Sequence, residues 1–297
     1  MKVALVGLGR MGVPIAERIL AARHELTVWN RSPGKADDLV AQGAAVGESP
    51  KDLLGASDVC ITVVSDDAAL EAVTLSNGGV LAGARPGTVL VDMSTVSVAV
   101  SGRIAAAAEG ADVGYLRAPV SGNPGVVRAG NLTIIVSGPS EPFERVEPLL
   151  KTIGPNVYYV GEAEQARVVK LALQVMIGGT AELMSEALVL GEAAGVSRER
   201  LLEVMGNSAV GSPFVRYKTA PLLEDDYSAT FTTAMMKKDL GLLLGFADER
   251  GVPLPMTSEL EGLLDDAIEA GYADLDFMAL FLSLRERAGG SWSREPR

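Results

Sequence analysis

Lys2-Val3-Ala4-Leu5-Val6-Gly7-Leu8-Gly9-Arg10-Met11-Gly12 opens the chain and sets its architecture. The first five residues are a short, almost purely apolar run, which reads as a buried parallel strand. Helical spacing starts at Met11 and continues to residue 22. Between them stands G-x-G-x-x-G, in which each glycine has its own task. Gly7 permits a tight turn, Gly9 lets the backbone come close to a ligand, and Gly12 lets helix and strand pack closely. The N–H groups at the start of the helix point outward, and the ligand that suits them is a diphosphate. The competing reading of the same residues is a tight loop that binds nothing.

Further along, apolar runs at 26–29, 58–64, 88–91, 113–116 and 132–136 read as strands, and 34–42 and 97–109 as helices. Strands alternating with helices of this length mean crossover units and a mostly parallel sheet. Near residue 163 the pattern changes, and from Gln165 only helices are expected: 165–194, 198–205, 232–250, 257–270 and 276–287, with Gly251 and Gly271 as stops. The expected organisation is α/β: a Rossmann-type doubly wound sheet over 1–162, then an all-α domain over 163–297, joined by a long interdomain helix. That helix is apolar on nearly every side and must be surrounded. A second subunit covering part of it is expected, giving a homodimer or homotetramer through 165–194. The tail at 288–297, rich in Gly, Ser and charge, is expected to fray.

Composition narrows the chemistry. The 297 residues suit about two domains, and a formal charge of −12 is a poor footprint for nucleic acid. Cys60 and His24 are the single residues of their kinds, which excludes disulfide scaffolds, thiolate metal sites, multi-His centres and His-dependent triads. No metal site is expected. Cys60 reads as a core residue of its strand and His24 as part of a solvated turn. No segment is read as membrane-spanning and no secretory signal is seen, so the expected compartment is the cytoplasm.

The strand at 26–29 ends in Trp29-Asn30-Arg31-Ser32. A site for NAD would place Asp or Glu there for the ribose hydroxyls. Arg31 cannot accept those bonds but can hold a 2′-phosphate, with Ser32 and Lys35 as further donors. NADP(H) is therefore expected over NAD(H), against the alternative of an exposed basic turn.

With the Asn30-Arg31 strand end stand Gly7 to Gly12, Asp92-Met93-Ser94-Thr95, Ala118-Pro119-Val120-Ser121-Gly122, Lys170 and Lys238-Asp239-Leu240. In order and spacing, these resemble the β-hydroxyacid dehydrogenase family, which includes 3-hydroxyisobutyrate dehydrogenase, tartronate semialdehyde reductase and relatives of 6-phosphogluconate dehydrogenase. The resemblance implies a cofactor site of Gly7, Leu8, Gly9, Arg10, Met11, Gly12, Asn30, Arg31, Ser32, Lys35, Val64, Ser65, Thr95 and Lys238. It implies that Ser94 and Thr95 border the nicotinamide and touch substrate, that Ser121, Gly122 and Asn123 belong to a substrate-carboxylate loop, and that Lys170 is the catalytic lysine with Gln174 orienting the substrate. Thr95 could instead cap the helix at 97, and Ser121-Gly122 could be a plain turn. Three positions depart from the family pattern: Arg117 replaces its Asp, Asn123 its Gly, and Gln174 its Asn.

Lys170, Gln174 and Gly178 are spaced to share one helix face. Gly178-Gly179 costs a helix about 1 kcal/mol per residue relative to Ala, which points to close approach by a ligand or a neighbouring helix. Burial among Val169, Leu171 and Leu173 would disfavour the ammonium and bring Lys170 nearer neutrality, suiting proton transfer in either direction. Alternatively, its stem covers apolar surface and its tip reaches water. The implied activity is NADP-dependent hydride transfer to or from a small carboxylate-bearing aldehyde or ketone, a 3-hydroxyacid or semialdehyde. The alternatives are an imine reductase on the same fold, whose family usually has Asp or Tyr at the lysine position, and a non-catalytic NADP-binding module.

Overall fold

The apolar N-terminal run is β1 (Lys2–Val6), buried from Val3 to Val6. It lies inside a six-stranded sheet with β2 (Glu25–Trp29), β3 (Ala45–Val46), β4 (Val59–Thr62), β5 (Val89–Asp92) and β6 (Gly114–Arg117). Every pairing is parallel and the order is β3-β2-β1-β4-β5-β6. The chain winds outward in one direction from β1 to β3 and in the other from β4 to β6. The crevice at the C-terminal ends of β1 and β4 is thus the switch point where ligands bind in such sheets. The computed structural model describes residues 1–289. It divides into two compact units that part after Lys170. Residues 290–297, and with them most of the tail expected to fray, lie outside the described residues.

Side chains alternate across the strands and fill a core on each face of the sheet. Val3, Leu5, Val28, Ile61 and Val91 pack with Ile15 and Ile19 of α1 (Gly12–Ala21). Ala4, Val6, Cys60 and Leu90 face the other way. They meet Leu54, Leu70 and Ile104, which come from α3 (Pro50–Ala56), α4 (Asp67–Thr74) and α5 (Val98–Gly110); α2 (Asp37–Ala41) precedes these three. Cys60 is fully buried, as its strand pattern implies.

The run at 132–136 does not join this sheet. It forms β8 (Thr133–Val136) of a second, three-stranded sheet, between β7 (Val120–Ser121), which is antiparallel to it, and β9 (Asn156–Tyr159), which is parallel. The sequence pattern gives no hint of β9, because it is an edge strand with mostly exposed side chains. α6 (Pro124–Arg128) and α7 (Ser140–Ile153) complete the region before the long helix α8 (Gln165–Ala193). Pro148 inside α7 hides the helix from a propensity reading, yet Val146, Leu149, Leu150 and Ile153 bury one face of it.

The second unit is helical: the remainder of α8, then α9 (Arg198–Asn207), α10 (Pro213–Glu224), α11 (Thr233–Glu249), α12 (Pro255–Ala267) and α13 (Leu280–Arg287). Its core gathers Met184, Leu188, Leu202, Met236, Leu264 and Phe281. α10 was not expected, because Pro221 sits inside it. A buried Lys218 donates to Asp276 Oδ1 at 2.6 Å and lies over the Phe277 ring.

α8 corrects one sequence expectation: it is long and apolar enough to cross a membrane by length and composition. Ala181, Met184, Leu188 and Val189 nevertheless pack into the protein core. Met176, Leu183 and Leu190, spaced by sevens, stay exposed as one stripe. A Cβ on Gly178 would lie 2.9 Å from Leu260 Cδ2, so neighbouring helices explain this glycine. One on Gly179 would meet nothing within 4 Å.

Candidate active site

The glycine-rich turn has the geometry its three positions call for. Gly7 has φ +101°, and a Cβ there would stand 2.1 Å from the Val63 carbonyl oxygen. A Cβ on Gly12 would stand 1.9 Å from the Gly7 carbonyl oxygen. Both glycines are fixed by the protein itself. Gly9 is exposed, and a Cβ there would meet nothing within 4 Å. Open space above Gly9 is what a ligand approaching the backbone requires. The first turn of α1, Gly12-Val13-Pro14-Ile15, has no acidic residue, and no side chain among the described residues caps it. The dinucleotide diphosphate therefore fits here, because the dipole and N–H groups are left for an anion.

Leu8 is buried, Met11 half-buried and Arg10 exposed. Asn30 accepts from the Leu8 N–H at 2.9 Å and donates to the Ser32 carbonyl at 3.0 Å. It clips the turn to the end of β2, and Arg31, Ser32 and Lys35 follow as an exposed group.

Past β4, Val64 is half-buried and its N–H donates to Ser94 Oγ at 2.9 Å, so these two expected site residues do meet. Ser65 is exposed and donates to Asp66. Ser97, not Thr95, caps α5 by accepting from the Val100 N–H at 3.1 Å, which removes the capping alternative for Thr95. Ser121 ends β7, paired with Thr133. Gly122 follows at φ +147°, a conformation that L side chains rarely adopt. Asn123 Oδ1 accepts from the Val126 N–H at 3.0 Å and caps α6, so that oxygen has a structural task.

Lys170 ends the first unit, 9% exposed. Arg167, one turn before it, forms a buried cluster that sequence reasoning missed. Its guanidinium pairs with Asp92, donates to the Ser94 carbonyl, and reaches the Tyr115 hydroxyl at 3.2 Å. Asp92 Oδ1 also accepts from Thr62 Oγ1 at 2.7 Å and from the Ser94 N–H at 3.1 Å. Burial pushes the Tyr115 hydroxyl up to about 12, so it stays neutral, and its oxygen accepts from Arg167. The one available signal was that Arg167 and Lys170 are the two charged residues in the first half of a largely apolar helix. Arg117 pairs with Glu164, just before α8, and lies over the Tyr115 ring at 4.6 Å.

In the second unit Gln174 donates to Asp239 Oδ2 at 2.6 Å, and Lys238 pairs with Asp239 Oδ1 at 2.9 Å. Asp239 is 1% exposed and holds both groups, so this part of the expected site also forms a cluster.

Comparison with known proteins identifies the family. Residues 2–161 match the NAD-binding domain of 6-phosphogluconate dehydrogenase, and residues 165–284 the corresponding domain of NADP-dependent 3-hydroxyisobutyrate dehydrogenase. A 2-(hydroxymethyl)glutarate dehydrogenase from Eubacterium barkeri is 32% identical over 99% of this chain and 98% of its own. An NAD-dependent L-serine dehydrogenase from Pseudomonas aeruginosa is 34% identical over 93% and 95%. The crystal structure of 3-hydroxyisobutyrate dehydrogenase from Salmonella typhimurium superposes with a TM-score of 0.88 at 28% identity, covering 95% of this chain and 99% of that one. With both halves matched in order and over nearly the full length, the chain belongs to the β-hydroxyacid dehydrogenase family of NAD(P)-dependent oxidoreductases.

Proposed function

We propose that this chain interconverts a small 3-hydroxyacid and its semialdehyde with NADP(H), using Lys170 to move the proton. The carrying observation is Lys170 itself. It is nearly excluded from water and stands one helical turn beyond the residue that grips the Ser94 loop. A lysine held nearly out of water is well suited to acid–base work.

The backbone of Gly7 to Gly12 and the start of α1 would hold the diphosphate, with Asn30 keeping the turn in shape. Val64, Ser65, Thr95 and Lys238 would complete the cofactor contacts. Arg31, with Ser32 and Lys35 beside it, would take the 2′-phosphate, which an acidic residue at this strand end would repel. When bound, the nicotinamide supplies hydride to the carbonyl carbon or accepts it. Lys170 gives a proton to the carbonyl oxygen as it gains charge, and takes it back in the other direction. Ser121 and the Gly122 N–H hold the substrate carboxylate, with Asn123 at the edge of the loop. Ser94 and Thr95 line the reacting end, and Gln174 offers its amide for orientation.

The compounds in the relatives' names support this substrate class: hydroxymethylglutarate, L-serine and 3-hydroxyisobutyrate each pair a carboxylate with a hydroxymethyl group. The exposed stripe of Met176, Leu183 and Leu190 would be covered by a second copy, giving a dimer or tetramer. Light scattering tests this, and a clean monomer would contradict it.

The deciding experiment is NADPH consumption with glyoxylate, succinic semialdehyde, methylmalonate semialdehyde and a cyclic imine. Turnover of a carboxylate-bearing carbonyl is expected. Turnover of the imine alone would establish the imine reductase reading. Tight NADPH binding with no turnover at all would mark a binding module.

A further inference from the structure

Arg167 is among the largest fully buried side chains of the described residues, and its guanidinium reaches polar partners on Asp92, Ser94, Ser101 and Tyr115. With Asp92 it ties four places together. Asp92 holds Thr62 at the end of β4 and the Ser94 N–H after β5. Arg167 holds the Ser94 carbonyl, and its Nε lies 3.4 Å from Ser101 Oγ of α5. Tyr115 of β6 closes the group: its hydroxyl meets Arg167 at 3.2 Å while its ring carries Arg117, whose partner Glu164 immediately precedes α8. Both ion pairs thus act on the start of one helix.

A helix that needed only to be seated in a core could use leucines, because burying an ion pair costs desolvation that apolar packing avoids. Directional bonds do something apolar contacts do not: they fix how far a helix is rotated and how far it has slid along its axis. Residues three apart share a helix face, so the setting of Arg167 is also the setting of Lys170.

We propose that the Asp92–Arg167 pair, with Tyr115 behind it, is the positioning device for Lys170, locking the first turn of α8 so that the ammonium is presented toward the Ser94–Thr95 loop. Arg167, Asp92 and Tyr115 are positioning residues here. The inference rests on the reading of Lys170 as the proton carrier.

The test is the double variant Asp92→Asn/Arg167→Met, which removes both charges together and so leaves no buried charge unpaired. NADPH affinity is read by fluorescence, and turnover with whichever panel substrate reacts fastest. kcat is expected to fall about 10–100-fold, as a displacement of about 1 Å can cause, with KM and NADPH Kd within about threefold. The solvent deuterium isotope effect on kcat should rise, because proton transfer becomes slower. Arg167→Lys should recover part of the loss. In the Lys170→Ala background the same double change should alter the residual rate less than about twofold, since there is no ammonium left to position. Independently of turnover, acetylation of Lys170 by acetic anhydride, read by mass spectrometry, should accelerate severalfold.

Wild-type kcat or unchanged acetylation in the folded double variant would overturn the proposal. So would an equal loss in the Lys170→Ala background, which would mean a merely structural role. If the double variant does not fold, Tyr115→Phe is put through the same coupling measurement with the same criteria. If Lys170→Ala loses activity while the double variant keeps it, only the positioning idea falls. If Lys170→Ala keeps full kcat, the reading of Lys170 falls and takes this inference with it.

Discussion

Gly9→Ala and Gly12→Ala add the same methyl group three residues apart, and the structure separates their consequences. At Gly9 the new carbon enters open space, at a φ outside the left-handed region, so the fold tolerates it. Its effect on stability should be small, within about 1 kcal/mol and even favourable through the unfolded chain. The same methyl would stand where the diphosphate must approach the backbone. Losing one close hydrogen bond to a charged group costs about 1.5–3 kcal/mol. At about 1.4 kcal/mol per tenfold, that weakens NADPH binding about 10–150-fold. At Gly12 the carbon would lie 1.9 Å from the Gly7 carbonyl oxygen, closer than any real contact. Strand and helix must then part, at about 1–3 kcal/mol or more, and binding fails along with stability. Thermal unfolding and NADPH fluorescence titration on both variants read the two effects. A Gly9→Ala protein that binds NADPH as tightly as wild type would refute the placement of the diphosphate.

Arg31→Ala should lower NADPH affinity about 10–100-fold, by loss of charge-assisted bonds, while NADH affinity stays within about twofold; an unchanged NADPH-to-NADH ratio would remove Arg31 from the site. Glu182, buried in α8, has its carboxyl pushed up to about 7 from 4.5, by burial and then by Glu186, with Arg287 acting the other way. The fold holds this proton more tightly than the unfolded chain does. The contribution to stability is therefore full below pH 4.5 and is lost as pH rises through about 7. Glu182→Gln should flatten that part of a melting-temperature profile, and an unaltered slope between those pH values would disprove it.

Much of this was legible in the residues. β1, β4 and β5 are apolar on both faces because helices cover both sides of their sheet, and such runs stand out in any chain. The G-x-G-x-x-G turn and its strand–turn–helix setting carry their own geometry. Elements whose signal is masked were not legible. β3 has only two residues, and β9 exposes most of its side chains at an edge. α7 and α10 each contain a proline, and the buried face wins over propensity. Within the candidate site, local pairs such as Leu8–Asn30 follow from adjacent strand ends. The Asp92–Arg167 pair joins residues 75 apart, and no periodicity announces it. Thr95 shows the reverse limit: its residue type suggested either a cap or a ligand contact, and only coordinates showed that Ser97 is the cap, while Asn123, read only as part of the substrate loop, caps α6.

The sharpest test is the steady-state rate of Lys170→Ala with a carboxylate-bearing semialdehyde, measured beside its NADPH dissociation constant. Loss of the proton donor should cut kcat about 10²–10⁴-fold while NADPH binding stays unchanged. A variant that binds NADPH normally and still turns over at the wild-type rate would contradict the mechanism.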